Sequence, residues 1–319
     1  MKIAFIVDPL DDFKTYKDST YAMMREAAGR GHELYSLQQE DLIWQQSIVS
    51  GFARRLHLTG DKGAWYRVEA PLATPLREFG AVLMRKDPPF DMEYLYSTYL
   101  LELAQAQGAR VFNDARAIRD CNEKMTIARF PQFTAPTLVT RNAALIHEFL
   151  GAHGDIILKP LDGMGGTSVF RVHSKDPNLN VIVETVTHYG RRTVMAQRYI
   201  PEIANGDKRV LLIGGQAVPY ALARIPKPGE TRGNLAAGGT GIARELTARD
   251  REIATALAPQ LAAQGLLLVG LDVIGDYLTE VNVTSPTCFQ EITDQTGFNV
   301  AGMMLDALER AVTRGNTLK

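Results

Sequence analysis

The sequence predicts an α/β protein whose N-terminal part is built on a mostly parallel sheet and whose remainder turns to α+β character. Three observations carry that reading. Strand-like and helix-like patterns alternate through the N-terminal stretch, the rhythm of βαβ units. At roughly 150 residues per domain, 319 residues amount to about two domains. A hydrophobic content of 45% with 22% charged residues is that of an ordinary globular chain, which excludes a disordered tail protein and a collagen.

The elements follow in order. Ile3–Val7 is a short apolar run closed by Asp8-Pro9, a buried strand. Asp18-Ser19 caps a helix running to about Arg30, stopped by Gly31. Glu33–Leu37 and Ala81–Met84 read as strands, Asp91 caps a long helix ending near Gly108, and Arg110–Phe112 returns as a strand. Beyond about Asp120 a helix covers Asn122–Phe130, and strands at Ile156–Lys159 and Ser168–Val172 flank Gly163-Met164-Gly165-Gly166. Leu211–Val218 places two apolar runs around Gly214-Gly215, a hairpin signal. Ile225–Gly241 is rich in glycine and proline and poor in apolar anchors, the composition of a lid or a disordered segment. Helices are expected over Arg249–Gln264 and Asn299–Arg314.

Composition narrows the function. Thirty-five basic and 36 acidic residues leave a net charge of −1, which argues against a general nucleic-acid or anionic-membrane binder. No apolar run approaches the ~18 residues of a spanning helix. The N-terminal apolar run is too short for a signal-peptide core, and Cys121 and Cys288 are the only cysteines, without a CxxC. A cytoplasmic location is therefore expected, with neither a membrane nor nucleic acid as partner.

Several residues could carry chemistry. Arg85 and Asp87 stand at the carboxyl end of a strand, where α/β sheets bind ligands, although a solvated loop reads the same way. GxGxxG and GxxxxGK[ST] are both absent. The glycine loop at 163–166 could let backbone N–H groups close on phosphate oxygens with Lys159 beside them; taken alone, it reads more readily as a glycine-rich hairpin turn. Asp272, Glu280 and Asn282 lie on two apolar strands that meet at Gly275-Asp276. Oxygen ligands of this kind suit Mg²⁺, while a half-exposed hairpin would also place polar residues on its wet face. Cys121 has no histidine near it in sequence and reads as a buried small hydrophobe. The six histidines show no zinc spacing.

Parity makes the hairpin testable. For Asp272 to share a face with Glu280 the two must pair, centring the register on Asp276 and requiring an odd loop, Gly275-Asp276-Tyr277. That register pairs Leu271 with Val281 and Val269 with Val283 and leaves Asp272, Glu280 and Asn282 together on the other face. A two-residue Gly275-Asp276 turn, the commoner solution, would mix the faces.

Five extended segments resemble the bacterial type of glutathione synthetase, within the ATP-grasp superfamily. They are Met84–Asp91, Arg119–Lys124, Ile157–Gly166, Thr231–Gly239 and Thr279–Thr287. Arg-Lys-Asp-Pro-Pro and Arg-Gly-Asn-Leu-Ala-Ala-Gly-Gly are the family-specific stretches; Gln38–Ala73 is the least family-like part. The resemblance implies an N-terminal Rossmann-like substrate domain over 1–120, then an ATP-grasp unit with a central lobe over 121–200 and a C-terminal lobe over 201–319 carrying the lid 225–241. It implies ligation of γ-glutamylcysteine and glycine to glutathione, with ATP as co-substrate, Mg²⁺ (or Mn²⁺) as cofactor, and a homotetramer. By resemblance, Lys124 and Lys159 hold phosphates under Gly163, Met164, Gly165 and Gly166. Gln197, Arg198, Tyr199 and Ile200 form the adenine strand, with Asp207 near the ribose. Asp272, Glu280 and Asn282 bind the metal, Arg209 stabilises the oxyanion, Arg232 adds positive charge from the lid, and Arg85, Asp87 and Ser285 meet substrate. A D-alanine or polyglutamate ligase, or a non-enzymatic ATP-binding protein on the same fold, would share the ATP parts.

Overall fold

The computed structural model describes residues 1–61, 63–230, 232–235 and 238–316. Its strands fall into sheets of eight, four and five. The first contains β1 (Lys2–Ile6), β2 (Glu33–Leu37), β3 (Leu42–Gln45), β4 (Ile48–Leu58), β5 (Tyr66–Val68), β6 (Leu72–Pro75), β7 (Ala81–Met84) and β8 (Val111–Phe112), with α1 (Ser19–Gly29), α2 (Met92–Ala106) and α3 (Ala115–Asp120) in the same stretch. β1 pairs in parallel with β2 and β7, and β7 with β8, as the βαβ rhythm predicts. Asp18 and Asp91 cap α1 and α2 by accepting the N–H of Tyr21 and Tyr94.

The sheet is mixed, however, not mostly parallel. β4 pairs antiparallel with β2, β3, β5 and β6, so residues 38–73 build half of the strands. The first of these hairpins turns at Gln46-Ser47, both left-handed at φ 49° and 63°. Neither residue is one of the glycines or asparagines that announce such a turn in sequence.

The second sheet is antiparallel in the order β11-β10-β12-β9, from β9 (Thr137–Thr140), β10 (Asp155–Pro160), β11 (Phe170–His173) and β12 (Val194–Arg198). α4 (Ala143–His153) and α5 (Leu179–Val186) supply Ile146, Leu150 and Val183 to a core with Ile156, Leu158 and Ala196. Strand alternation turns Ile157 and Lys159 of β10 to the opposite face. The helix expected over Asn122–Phe130 is instead a pair of 3-10 turns, Met125–Arg129 and Pro131–Phe133. The Asn122 side chain accepts the N–H groups of Lys124 (3.2 Å) and Met125 (2.9 Å), a local bond that competes with an α-helical start.

The third sheet runs β15-β14-β13-β16-β17, from β13 (Asp207–Ile213), β14 (Gln216–Ile225), β15 (Thr240–Glu245), β16 (Leu268–Ile274) and β17 (Tyr277–Asn282). α6 (Ala248–Ala263) covers one face, packing Ile253, Leu257 and Leu261 on Val210, Leu271 and Val281. α7 (Phe289–Thr296) and α8 (Val300–Asn316) cover part of the other, over Leu211 and Ile213. Further along that second face of β13 stand Arg209 and Asp207. The same strand face therefore passes from apolar under the helices to charged beyond them. Asn113 at the edge of the first sheet joins it to the third, donating to the carbonyls of Leu268 (2.7 Å) and Val283 (2.9 Å).

The β16–β17 hairpin resolves the parity question in an unexpected way. Asp272 pairs with Glu280, Leu271 with Val281 and Gly270 with Asn282, as required. Yet the turn is Gly275-Asp276, with Ile274 opposite Tyr277, so the predicted three-residue loop is wrong. A bulge at Thr279, between the Val273–Leu278 and Asp272–Glu280 pairs, supplies the odd residue.

The lid is shorter than its sequence signal. β14 extends through Ile225, and β15 begins at Thr240 with Ile225 and Thr240 paired, so the connecting loop spans 226–239. Thr231, Ala236 and Ala237 of the predicted lid lie outside the described residues.

Candidate active site

One face of the third sheet writes the site. Arg209, Asp272 and Glu280 form a row across β13, β16 and β17, and Asp207 pairs with Arg224 across β13 and β14. Arg209 holds Asp272 in a fork, Nε to Oδ1 at 2.6 Å and Nη2 to Oδ2 at 3.2 Å. Arg224 bridges Asp207 (2.5 Å) and Asp272 (2.9 Å). Burial alone would raise the Asp272 carboxyl, but the two guanidinium groups hold it well below the usual carboxylate range. Asp207 is pushed up to about 7 by burial, against Arg224 and with Asp272 adding to the rise.

Two lysines arrive from the second sheet and the segment before it. Lys159 of β10 donates to the Thr279 carbonyl at 3.3 Å, and Lys124 donates to the Gly163 carbonyl at 2.6 Å. Both flank Glu280, at 3.8 and 3.5 Å. Burial pushes the Lys159 ammonium down while Glu280 pulls it up.

Two clefts meet along this row. The first, of about 840 Å³, runs between the second and third sheets. Its walls contain Lys124, Lys159, Gly163–Gly166, Gln197–Ile200, Asp207, Arg232, Asp272 and Glu280. The second, of about 1230 Å³, faces the first sheet and holds Asp87, Arg209, Asn282 and Ser285. Asp272, Glu280 and Gly163–Gly165 border both. The expected adenine strand ends at Arg198; Tyr199 and Ile200 follow it, still in the first cleft. Arg198 lies over the Tyr277 ring at 5.3 Å, and Arg171 over that of Tyr199 at 3.7 Å.

Arg85 lines neither cleft. It is 5% exposed, and its guanidinium donates to Thr20 Oγ1 (3.1 Å) and the Pro286 carbonyl (2.9 Å), bracing α1 against the chain beside Ser285. Burial pushes Asp87 up, and a hydrogen bond from Ser285 pulls it back.

The glycines of the two loops have steric reasons. Gly165 and Gly166 are left-handed, at φ 62° and 80°. A Cβ on Gly166 would stand 2.9 Å from Asn234 Oδ1 and 3.0 Å from Arg232 Cδ, so the lid rests directly on this loop. A Cβ on Gly233 would stand 2.3 Å from the Arg224 carbonyl oxygen. Arg232 itself pairs with Glu230 at 2.9 Å.

Sequence reasoning missed two residues here. Arg224 is 3% exposed and joins the carboxylates of both clefts; its signal was a lone charge within Tyr-Ala-Leu-Ala-Arg-Ile. Glu123 stands beside Lys124, and its Oε1 accepts from Val283 N (3.1 Å), Thr284 N (3.2 Å) and Thr284 Oγ1 (2.8 Å), tying the lysine segment to the end of β17.

The donor set fits a hard cation shared with phosphates. Among the described residues no three His, Cys, Asp or Glu side chains converge as a cage. Two carboxylates and an amide remain, and Asn282 gives its N–H to the Gly270 carbonyl (3.1 Å), so its oxygen is the atom it could offer a cation. Magnesium uses few protein oxygens and keeps waters and phosphates for the rest.

A lysine pair, a glycine loop and a carboxylate row between two antiparallel sheets define an ATP-grasp enzyme. Solved ATP-grasp structures share the fold: D-cycloserine synthetase DcsG superposes with a TM-score of 0.69 over 98% of this chain and 100% of its own at 16% identity. The ATP-grasp ligase PsnB, complexed with minimal precursor, Mg and ADP, does so at 0.62 over 98% of both chains and 18% identity. The prokaryotic glutathione synthetase N-terminal domain profile matches residues 1–119, and the ATP-grasp domain profile of that synthetase matches 123–297. The chain is 65% identical to the glutathione synthetase of Nitrosomonas europaea, over 99% of this chain and 100% of that protein. It is 64% identical to that of Ralstonia nicotianae, over 99% and 98%. The chain belongs to the prokaryotic glutathione synthetase family. ATP-dependent glutathione synthesis is the activity this membership carries. No helix among the described residues is long and apolar enough to cross a membrane.

Proposed function

We propose that the chain makes the peptide bond of glutathione through an acyl phosphate formed on γ-glutamylcysteine, with the two clefts as nucleotide and peptide sites. The observation that carries this is the Arg209–Asp272–Glu280 row on the border between them. A carboxylate is a poor acyl donor because oxide would have to leave. Its oxygen therefore takes the γ-phosphoryl group as the bond to ADP breaks; the glycine amine then adds to the acyl carbon and loses its proton, and phosphate leaves as the C–O bond to it breaks. Such transfer needs charge neutralisation and positioning above all. Lys124 and Lys159 bind the phosphates, Gly163–Gly166 cover them, Gln197–Ile200 take the adenine and Asp207 the ribose. Asp272, Glu280 and Asn282 would hold Mg²⁺, or Mn²⁺, which neutralises phosphate charge when bound. Arg209 stabilises the oxyanion; Asp87 and Ser285 bind peptide, and Arg85 shapes their loop.

The loop 226–239 closes over the nucleotide, carrying Arg232, and shields the acyl phosphate from water. The division into 1–120, 121–200 and 201–319, supported by the three sheets, a cytoplasmic location and a homo-oligomeric state belong to the same reading. The deciding experiment is ADP release from Mg-ATP and γ-glutamylcysteine with and without glycine. Glycine-dependent ADP is expected; its absence would sink the proposal.

Lys124→Ala and Lys159→Ala should each weaken ADP binding in calorimetric titration while leaving the fold intact. Unchanged affinity in both variants would count against the phosphate roles. Gly233→Ala should lift the lid off Arg224, since a Cβ cannot stand 2.3 Å from a carbonyl oxygen. Misplacement on the order of 1 Å can cost ~10²-fold in rate, so kcat should fall steeply while ADP affinity holds. Wild-type kcat in that variant would show that the lid does not act from this seat.

A further inference from the structure

We infer that Glu123 binds the amine of glycine, its free carboxylate oxygen receiving the ammonium group as glycine approaches the acyl carbon. The inference rests on the ligase reading above and gives the last substrate to enter a receptor of its own. Glycine nitrogen travels in water as a cation. Taken into a cleft, such a cation needs an anionic oxygen with a lone pair to spare.

The two oxygens of Glu123 are used unequally. Oε1 accepts Val283 N at 3.1 Å, Thr284 N at 3.2 Å and Thr284 Oγ1 at 2.8 Å, which fixes the carboxylate in place. No donor among the described residues takes Oε2. Even the neighbouring Lys124 turns away, to the Gly163 carbonyl and to Glu280. Nor is Oε2 sealed in protein as the unpaired Oε2 of Glu291 is. Glu123 is half-buried and lines the second cleft, where the peptide lies, and also a smaller cavity of about 550 Å³ beside it. Burial pushes its carboxyl up while the Thr284 bonds pull it back, so a cation at the open oxygen would settle the charge.

Position sets Glu123 apart from the other acids of the cleft. Its backbone carbonyl accepts the Val281 N–H at 2.8 Å and its side chain accepts that of Val283, so it brackets Asn282 from both sides. It therefore stands against β17, whose Glu280 closes the Arg209–Asp272–Glu280 row. Asp272 is already held by two guanidinium groups, and Glu280 lies between two lysines. Asp87 is engaged by Ser285, and Asp18 by the Tyr21 N–H. The other amine in the reaction, that of the γ-glutamyl group, lies at the far end of the peptide from the carboxyl that is phosphorylated. Glycine nitrogen must instead reach that carbon itself. The open acid beside the row accordingly falls to glycine.

The experiment is steady-state kinetics of Glu123→Gln with two acceptors, glycine and hydroxylamine. The amide keeps an oxygen for the three donors and replaces the open anionic oxygen with an NH₂ group that repels an ammonium. The glycine KM should rise at least ~10-fold, the loss of one charge-assisted hydrogen bond. The KM values of ATP and γ-glutamylcysteine should stay within ~2-fold. Hydroxylamine is uncharged at neutral pH and needs no anion, so it should still convert γ-glutamylcysteine to the hydroxamate at the wild-type rate. Glu123→Asp, which keeps the charge one methylene short, should raise the glycine KM less and also spare hydroxylamine; it carries the test if the glutamine variant does not fold. A wild-type glycine KM in the variant, a raised γ-glutamylcysteine KM in its place, or an equal loss with both acceptors would each overturn the assignment. A wild-type enzyme that yields no hydroxamate would refute the acyl phosphate instead, and the glycine KM would still decide Glu123.

Discussion

Asp272→Asn should lose metal-dependent turnover and a large part of the protein's stability in one step. The carboxylate is 3% exposed and takes Arg209 at 2.6 Å and Arg224 at 2.9 Å. A neutral amide would leave both guanidinium groups buried with Asp207 as the remaining acid among these four residues. Removing one partner of a buried ion pair costs about 3–5 kcal/mol. The denaturant midpoint should fall accordingly, and Mn²⁺ binding followed by paramagnetic resonance should weaken in whatever protein remains folded. A variant with wild-type stability would show that the network is not held by its charge. A variant that is unstable yet binds metal normally would keep the ion network and remove Asp272 from the ligand set.

Arg209→Gln should lower kcat by ~10²–10³, the usual loss when an oxyanion donor is removed, while ADP binds nearly as before. Arg209 borders the second cleft, not the first, so its loss should fall on the transfer to glycine. Arg209→Lys separates two contributions. It keeps the charge but loses the planar fork that spans both oxygens of Asp272. If the lysine variant restores stability without restoring kcat, the fork acts in the reaction as well as in the fold. A glutamine variant with undiminished kcat would end the oxyanion assignment.

How far the site was legible depended on how local its signal was. Lys159 and the Asp272–Glu280 pair stand on strands whose alternation can be counted, the glycine loop follows the first of these strands, and the structure sets them together. The side-chain direction of Arg85 was not legible, because a place at a strand end looks the same whether the side chain points into a cleft or, as here, toward Thr20 and Pro286. Arg224 was hidden because a single arginine in an apolar strand says nothing about which acids lie across the sheet. β3 to β6 were invisible for a different reason. Their first turn spends two left-handed residues on Gln46 and Ser47, and only tertiary packing, not local propensity, accounts for that. The Asn122–Phe130 segment had helical composition but an asparagine whose side chain bonds the backbone two and three residues on.

The Thr279 bulge makes the hairpin's two ends independent. Without an extra residue, the geometry at Gly275-Asp276 would dictate which faces Glu280 and Asn282 occupy, and a change at the tip would travel to the acids. With Thr279 between them, the tip can keep a tight two-residue reversal while the far end keeps the carboxylates in line. Thr279 also fastens the junction on both sides, its hydroxyl donating to the Asp272 carbonyl at 3.1 Å and its own carbonyl receiving Lys159. A side-chain change at Asp276, the exposed residue of the tip, should thus stay clear of the reaction centre, whereas losing the single residue at 279 would turn one strand inside out.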